Sequence, residues 1–212
     1  MSHYEDEAQV EQLKQWWKEN WLALATGLFL GLGGIFGWQQ WQAHKATVAG
    51  EASQGYEDLK KAADAKKSDD AEQAAQRLIY GFPDTPYAAD AALRIAQLEV
   101  ADGKLDEASK HLSWVVEHAS DDGLKHIARL REARVLWQQK KIDEALKLLD
   151  VKDTGSFDAL YDELRGDLKL AQGDRAGAAE SYRKAKGKMT EPGSANALQQ
   201  KLDDLSDVKA AS

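Results

Sequence analysis

The sequence predicts an all-α chain in which one transmembrane helix is followed by an α-solenoid of about four helix pairs and a C-terminal capping helix. Three observations carry that prediction. Residues Asn20 to Ala43, NWLALATGLFLGLGGIFGWQQWQA, form an uncharged run in a chain that is 30% charged. Residues 51 to 212 are dominated by alanine, leucine, lysine, glutamate and aspartate, mostly good helix formers, and carry prolines only at Pro83, Pro86 and Pro192. Within them, alanines recur at a spacing expected of stacked helical hairpins.

The uncharged run is long enough to span a bilayer, because a helix rises about 1.5 Å per residue and the hydrocarbon core is about 30 Å thick. Trp16, Trp17 and Trp21 frame one end and Trp38 and Trp41 the other, where amphipathic indoles mark the two membrane interfaces. A cleaved signal peptide would need a basic leader, a shorter apolar stretch and a small-residue cleavage site. The leader MSHYEDEAQVEQLKQWWKE instead sets five carboxylates against Lys14 and Lys18, so the run reads as an uncleaved anchor. Gly27 with Gly31, and Gly33 with Gly37, form two small-xxx-small pairs that would let another helix approach closely. Glycine is also simply common in membrane helices, and both explanations stand at this point.

The expected organisation is a short acidic segment at 1–19, the transmembrane helix at 20–43, a juxtamembrane linker at 44–50 and one repeat domain at 51–212. The formal net charge is −8, spread as a mildly acidic, mixed-sign surface that argues against nucleic acid as a partner. Cysteine is absent, which removes disulfides, thiol nucleophiles and zinc-thiolate sites together. Lysines on the two sides of the span are too evenly distributed to orient it, and long domains translocate regardless of charge.

Turn signals fall at Lys67-Ser68-Asp69-Asp70, Asp102-Gly103, Gln139-Lys140 and Gly173-Asp174. Aligning DGKLDEASKHL, QKKIDEALKLL and QGDRAGAAESY places Ala108, Ala145 and Ala178 in register, and KSDDAEQAAQRLIYGFPDTP adds a weaker first copy with Ala74 in that slot. The period is that of tetratricopeptide repeats. Ala62, Ala96, Ala133 and Gly166 fill the small position of helix A; Gly103 and Gly173 fill the turn, where Asp69 and Lys140 depart from glycine. Leu78, Leu112, Leu149 and Tyr182 fill the large position of helix B. SANALQQKLDDLS reads as the capping helix.

In such an array the A helices line the concave face. The positions expected there are Tyr56, Leu59, Ala63 and Lys66; Asp90, Leu93, Gln97 and Val100; Ile127, Leu130, Arg134 and Trp137; and Leu160, Glu163, Asp167 and Leu170. The expected groove is largely apolar, suited to an extended polypeptide or an apolar segment of a folded partner, though some of these side chains could pack between repeats instead. The lysine and asparagine clamp with which chaperone-binding repeats hold a terminal carboxylate is missing, Arg134 being the central cation.

No catalytic constellation is expected. His111 and His118 share a helix face with His126 beyond the next turn, but no carboxylate spacing supports a metal site, and His3 and His44 lie far off in sequence. The glycines fall in the span or in turns and form no phosphate-cradling loop. No cofactor and no enzymatic activity are expected.

The leader YEDEAQVEQLKQWWKEN, the span ending in IFGWQQW, the alanine-rich repeats and the last repeat GDRAGAAESYRKA together resemble the YfgM family, the ancillary subunits of the bacterial SecYEG translocon. The resemblance covers essentially the whole chain. It implies an inner-membrane protein with its N-terminus in the cytoplasm and its repeats in the periplasm. The partners it implies are the SecYEG channel, a membrane-anchored chaperone such as PpiD, exported polypeptides passed to folding factors, and a regulator of the Rcs pathway. The alternative is an envelope scaffold that organises folded partners without binding clients.

Overall fold

The computed structural model describes residues 2–189 and 192–210, and their side chains except at 2–9, 12, 192 and 207–210. Most of the acidic leader's carboxylates therefore lie outside the described side chains. The described residues are helical with no strand, as expected: α1 (Ser2–Asp64), α2 (Ser68–Gly81), α3 (Pro86–Ala101), α4 (Leu105–His118), α5 (Asp122–Gln138), α6 (Ile142–Leu148), α7 (Asp158–Ala171), α8 (Arg175–Lys188) and α9 (Pro192–Ala210), with a 3-10 turn at Gly155–Phe157. The chain divides into two units, Met1–Glu51 and Ala52–Ser212.

The first unit is α1 without its last turns. It is long and apolar enough to cross a membrane, and none of its most apolar window is buried. Residues 44–50, read as a linker, are helical. Trp38 and Trp41 pack with ring centroids 5.0 Å apart, and the Lys45 ammonium lies 4.5 Å from the Trp41 ring. That arrangement gives the cation an aromatic face at the end of the apolar run.

The second unit pairs the end of α1 with α2, α3 with α4, α5 with α6 and α7 with α8, and α9 caps the last pair. Its register is fixed by four turns built alike. Lys66, Gly103, Lys140 and Gly173 all have positive φ, at 56°, 77°, 66° and 87°. In each turn this residue donates to the carbonyl three back, and the next residue to the carbonyl five back, as in Lys140 N to Trp137 O (2.9 Å) and Lys141 N to Leu136 O (2.9 Å). This is the left-handed helix ending that glycine adopts most easily. Ala71, Ala108, Ala145 and Ala178 follow at one position of the B helices, each fully buried and each donating to the carbonyl four residues earlier.

The first pair therefore corrects the sequence alignment by three residues. Lys66, not Asp69, is the turn residue; Ser68 to Asp70 already belong to α2; and Ala71, not Ala74, matches Ala108. The same shift moves the small helix A position from Ala62 to Leu59, whose counterpart on the B helix is Ala75 instead of Leu78. Sizes stay complementary at this crossing: Leu59 with Ala75, Ala96 with Leu112, Ala133 with Leu149, Gly166 with Tyr182, all buried. At the last of these a Cβ on Gly166 would overlap the Tyr182 ring, so glycine here answers to a close approach.

Three apolar clusters run along the unit. The first joins α1 to α5 around Leu59, Leu78, Ile95, Leu112 and Val115; the second joins α5 to α7 around Leu130, Leu149, Tyr161, Leu164 and Leu168; the third closes α8 and α9 around Tyr182, Ala185 and Leu198. Helix starts are set locally: Pro86 opens α3, and the carboxylates of Asp121 and Asp174 accept from the backbone N–H of Leu124 and Gly177, each at 2.8 Å.

Candidate functional site: a cation-edged groove between α3 and α5

Successive A helices leave a groove of 320 Å³ lined by Leu93, Ala96, Gln97 and Val100 of α3, Arg131, Arg134, Val135 and Gln138 of α5, and Leu112 of α4 as its floor. The two walls are matched helical stripes at i, i+3, i+4 and i+7, but they differ in chemistry. The α3 wall is apolar apart from Gln97. The α5 wall presents two exposed guanidiniums above Val135. Past Gln138 the surface continues into a shallow hollow lined by Arg134, Trp137, Gln138 and Lys140.

Of the residues expected to form a binding groove, Leu93, Gln97, Val100 and Arg134 come together here, with Trp137 adjacent. Leu59 and Leu130 do not. They are 0% and 4% exposed, locked into the first and second clusters by stacking between repeats. Leu93 is itself largely covered, so the groove is narrower and less apolar than the sequence led us to expect. Tyr56 is half-buried against Tyr87, ring centroids 5.9 Å apart. Burial, with the nearby Asp90 carboxylate, pushes its hydroxyl pKa up. Ile127 is partly buried, and Leu160 and Leu170 are exposed on α7. Lys66 sits in the first turn.

On α7 the expected groove positions Glu163 and Asp167 are already occupied from within the chain. Lys201 of α9 donates to both carboxylates at 2.8 Å, and the Tyr182 hydroxyl donates to Asp167 at 2.8 Å. Burial works against the Lys201 charge, but the two carboxylates outweigh it and raise its pKa. Burial and Asp167 likewise raise that of Tyr182. A second lock joins Lys188 to Asp158 (3.3 Å) and to the buried Asp162 (2.8 Å), which also pairs with Arg165 at 2.6 Å. A broader hollow of 1120 Å³ between α8 and α9 is also edged by cations, yet Arg175 there donates to the Leu205 carbonyl and Lys186 to Gln199. Those two cations hold α9 in place.

The histidines have structural work. His111 Nδ1 lies 2.8 Å from Oε2 of the buried Glu99; His118 stacks on Trp114 with centroids 4.8 Å apart; His126 Nδ1 lies 2.9 Å from the Tyr161 hydroxyl. His3 falls outside the described side chains. Glu132 on α5 is buried and accepts from the Ser113 hydroxyl of α4; burial raises its pKa and that hydrogen bond offsets part of the effect. Among the described residues no group of three or more histidine or acidic side chains is placed to hold a metal.

Sequence reasoning missed Arg131, Val135 and Gln138, because consensus positions sample only part of each A helix. A signal was present: Arg131 lies three residues before Arg134, on the same helical face. In the first unit, a Cβ at Gly27, Gly31, Gly33 or Gly37 would meet nothing within 4 Å, so the two helix faces on which these pairs lie are open.

An unburied apolar helix followed by four stacked hairpins and a cap defines a single-helix membrane-associated protein of the tetratricopeptide class. The tetratricopeptide repeat-like domain family matches residues 14–207. Three relatives, each called ancillary SecYEG translocon subunit, align over most of both chains. The Escherichia coli protein is 35% identical over 97% of this chain and all of its own length, and the Haemophilus influenzae protein 32% identical over 85% and 88%. The Neisseria gonorrhoeae protein is 30% identical over 96% and 99%. The chain belongs to the family of ancillary SecYEG translocon subunits.

Proposed function

We propose that this chain is a non-enzymatic translocon accessory of the bacterial inner membrane, anchored by α1 with its N-terminus in the cytoplasm and its repeats in the periplasm. It associates with SecYEG, engages a PpiD-like chaperone, and assists the handover of exported polypeptides. The observation that carries the reading is the union, in one chain, of an apolar helix with no buried residue in its central window and a repeat array with an open groove. The helix supplies attachment, and tethering raises the effective concentration of the groove at the channel exit.

Burial of Leu59, Leu93 and Leu130 favours one refinement. A chaperone-like groove needs the apolar positions Leu93, Val100, Leu130 and Trp137 exposed on the concave face; Leu93 and Leu130 are covered, while Val100 and Trp137 are partly open. The groove therefore suits a short segment of a partner better than a long unfolded client, which also keeps the scaffold reading in play. Photocrosslinking in intact cells separates the two, with one probe at Gly31 in the span and one at the exposed Gln97 in the groove. The translocon reading expects a channel subunit from the first and a chaperone or nascent secreted chain from the second. Self-crosslinks alone from Gly31 and none from Gln97 would leave the scaffold.

A further inference from the structure

Resting on the reading that the α3–α5 groove receives a polypeptide, we infer that it selects an apolar protein segment bearing a carboxylate. The aliphatic side chains lie against the α3 wall, and the carboxylate is bound by Arg131 and Arg134. Three observations point to this ligand.

The first is unmatched charge. Some cations of the repeat unit meet acids, as Arg94 does Asp64, Arg165 Asp162, and Lys201 Glu163 and Asp167. Among the described residues others, Arg77 and Arg183 included, do not, and what distinguishes Arg131 and Arg134 is that they stand together on one wall of a groove. Among the described residues Arg131 and Arg134 form no ion pair, and no carboxylate lines the groove. Two guanidiniums one helical turn apart, left unpaired on a chain of net charge −8, are a receptor for an anion from outside. The planar fork of arginine suits a carboxylate in particular.

The second is the facing wall. Val100 is the part-open apolar side chain of the α3 wall, with Leu93 and Ala96 almost covered beside it, so the ligand meets a small apolar surface facing the cations. Gln97 and Gln138 add amide groups able to bond the backbone of an extended segment. A phosphate on a lipid surface lacks this second half, and a concave trough cannot lie flush on a flat bilayer. The third is size. A volume of 320 Å³ sits at the lower end of the roughly 300–1,000 Å³ of ligand pockets, enough for one or two side chains and too little for a whole helix.

The test uses the full chain in neutral detergent and two fluorescein-labelled apolar octapeptides differing only in one glutamate or glutamine, read by anisotropy. The glutamate peptide should bind about tenfold more tightly at low salt, the range of one charge-assisted hydrogen bond. Arg131→Gln with Arg134→Gln, both exposed and compatible with folding, should bring the ratio to one while leaving the glutamine peptide unaffected; Val100→Asp should weaken both. Equal binding of the two peptides by the unaltered protein overturns the inference, as does a ratio that survives loss of both arginines. Arginine-dependent binding to phosphatidylglycerol vesicles without peptide discrimination also overturns it. The Gln97 crosslink distinguishes the failures: a polypeptide captured there without charge preference sinks only the selectivity, whereas no crosslink and no peptide binding sink the groove reading as well.

Discussion

The two units of this chain handle apolar surface in opposite ways. In the first, Leu22, Leu28, Phe29, Leu30, Ile35 and Phe36 are all more than half exposed. In the second, among the described residues, the exposed large apolar side chains are Tyr80, Leu160 and Leu170, and most of the others are folded into three clusters. A run of exposed leucine and phenylalanine along one helix is stable only where water is absent. The repeat unit completes its own surface, while the first helix requires a bilayer to complete its own.

The sharpest way to break that contrast is to charge the first unit. Phe29→Asp combined with Leu32→Asp should cost about 5–7 kcal/mol of membrane insertion, taking about 2.5–3.5 kcal/mol per charge near a helix centre. Alkaline extraction should then release the protein, and the helical circular dichroism of the repeats should survive. Retention in the membrane fraction would show that something other than α1 holds the protein there.

The next effect lies in the second unit, where packing is tight enough to reverse a rule. Alanine is favoured over glycine inside helices by about 1 kcal/mol, yet Gly166→Ala would drive a methyl into the Tyr182 ring, which Asp167 holds by its hydroxyl. Overpacking of that kind costs about 1–3 kcal/mol, so the substitution should lower stability to urea. With Tyr182→Leu in place the pair becomes alanine facing leucine, as at Ala133 and Leu149, and the same substitution should now stabilise. Additive behaviour in this double-mutant cycle would disprove the contact.

These crossings explain what the sequence could and could not disclose. The period was legible because each hairpin buries a small residue at one position of its B helix, and Ala108, Ala145 and Ala178 keep it in register. The first hairpin was misread because Ala71, Ala74 and Ala75 offer several registers, and because its turn is made by Lys66 where glycine would have been a marker. The candidate site was half legible: of the positions read as concave, Leu93, Gln97, Val100 and Arg134 line one groove. Leu59 and Leu130 do not, because a position on the inner side of a helix is also the one a neighbouring repeat can cover. That depends on superhelical stacking, which no single repeat encodes.

The lysine turns provide a smaller test of the second unit. A side chain at positive φ costs roughly 1 kcal/mol relative to glycine, so Lys140→Gly and Lys66→Gly should each raise the urea midpoint modestly. Lys140 also borders the shallow hollow next to Trp137, so a gain at both positions would separate turn strain from any effect peculiar to that surface.

The smallest effect concerns the buried Glu132, which asks whether the repeat unit is as self-sufficient as its apolar surface implies. Burial raises its pKa in the fold, against which the Ser113 hydroxyl and Arg129 pull only partly, while Glu117 adds to the rise. A carboxyl whose folded pKa exceeds its unfolded value favours folding while protonated. Its contribution is fully present below the unfolded pKa and is lost as pH rises through the folded one. At neutral pH Glu132 is therefore a net cost, and Glu132→Gln, whose amide oxygen can still accept from Ser113, should stabilise the protein slightly. The gain should shrink as pH falls below the ordinary carboxylate range, measured as the difference in urea midpoint between variant and parent. A difference independent of pH would mean that Glu132 acts through packing alone. A loss of stability at neutral pH would mean that Arg129 and the Ser113 hydroxyl hold its charge more strongly than burial opposes it.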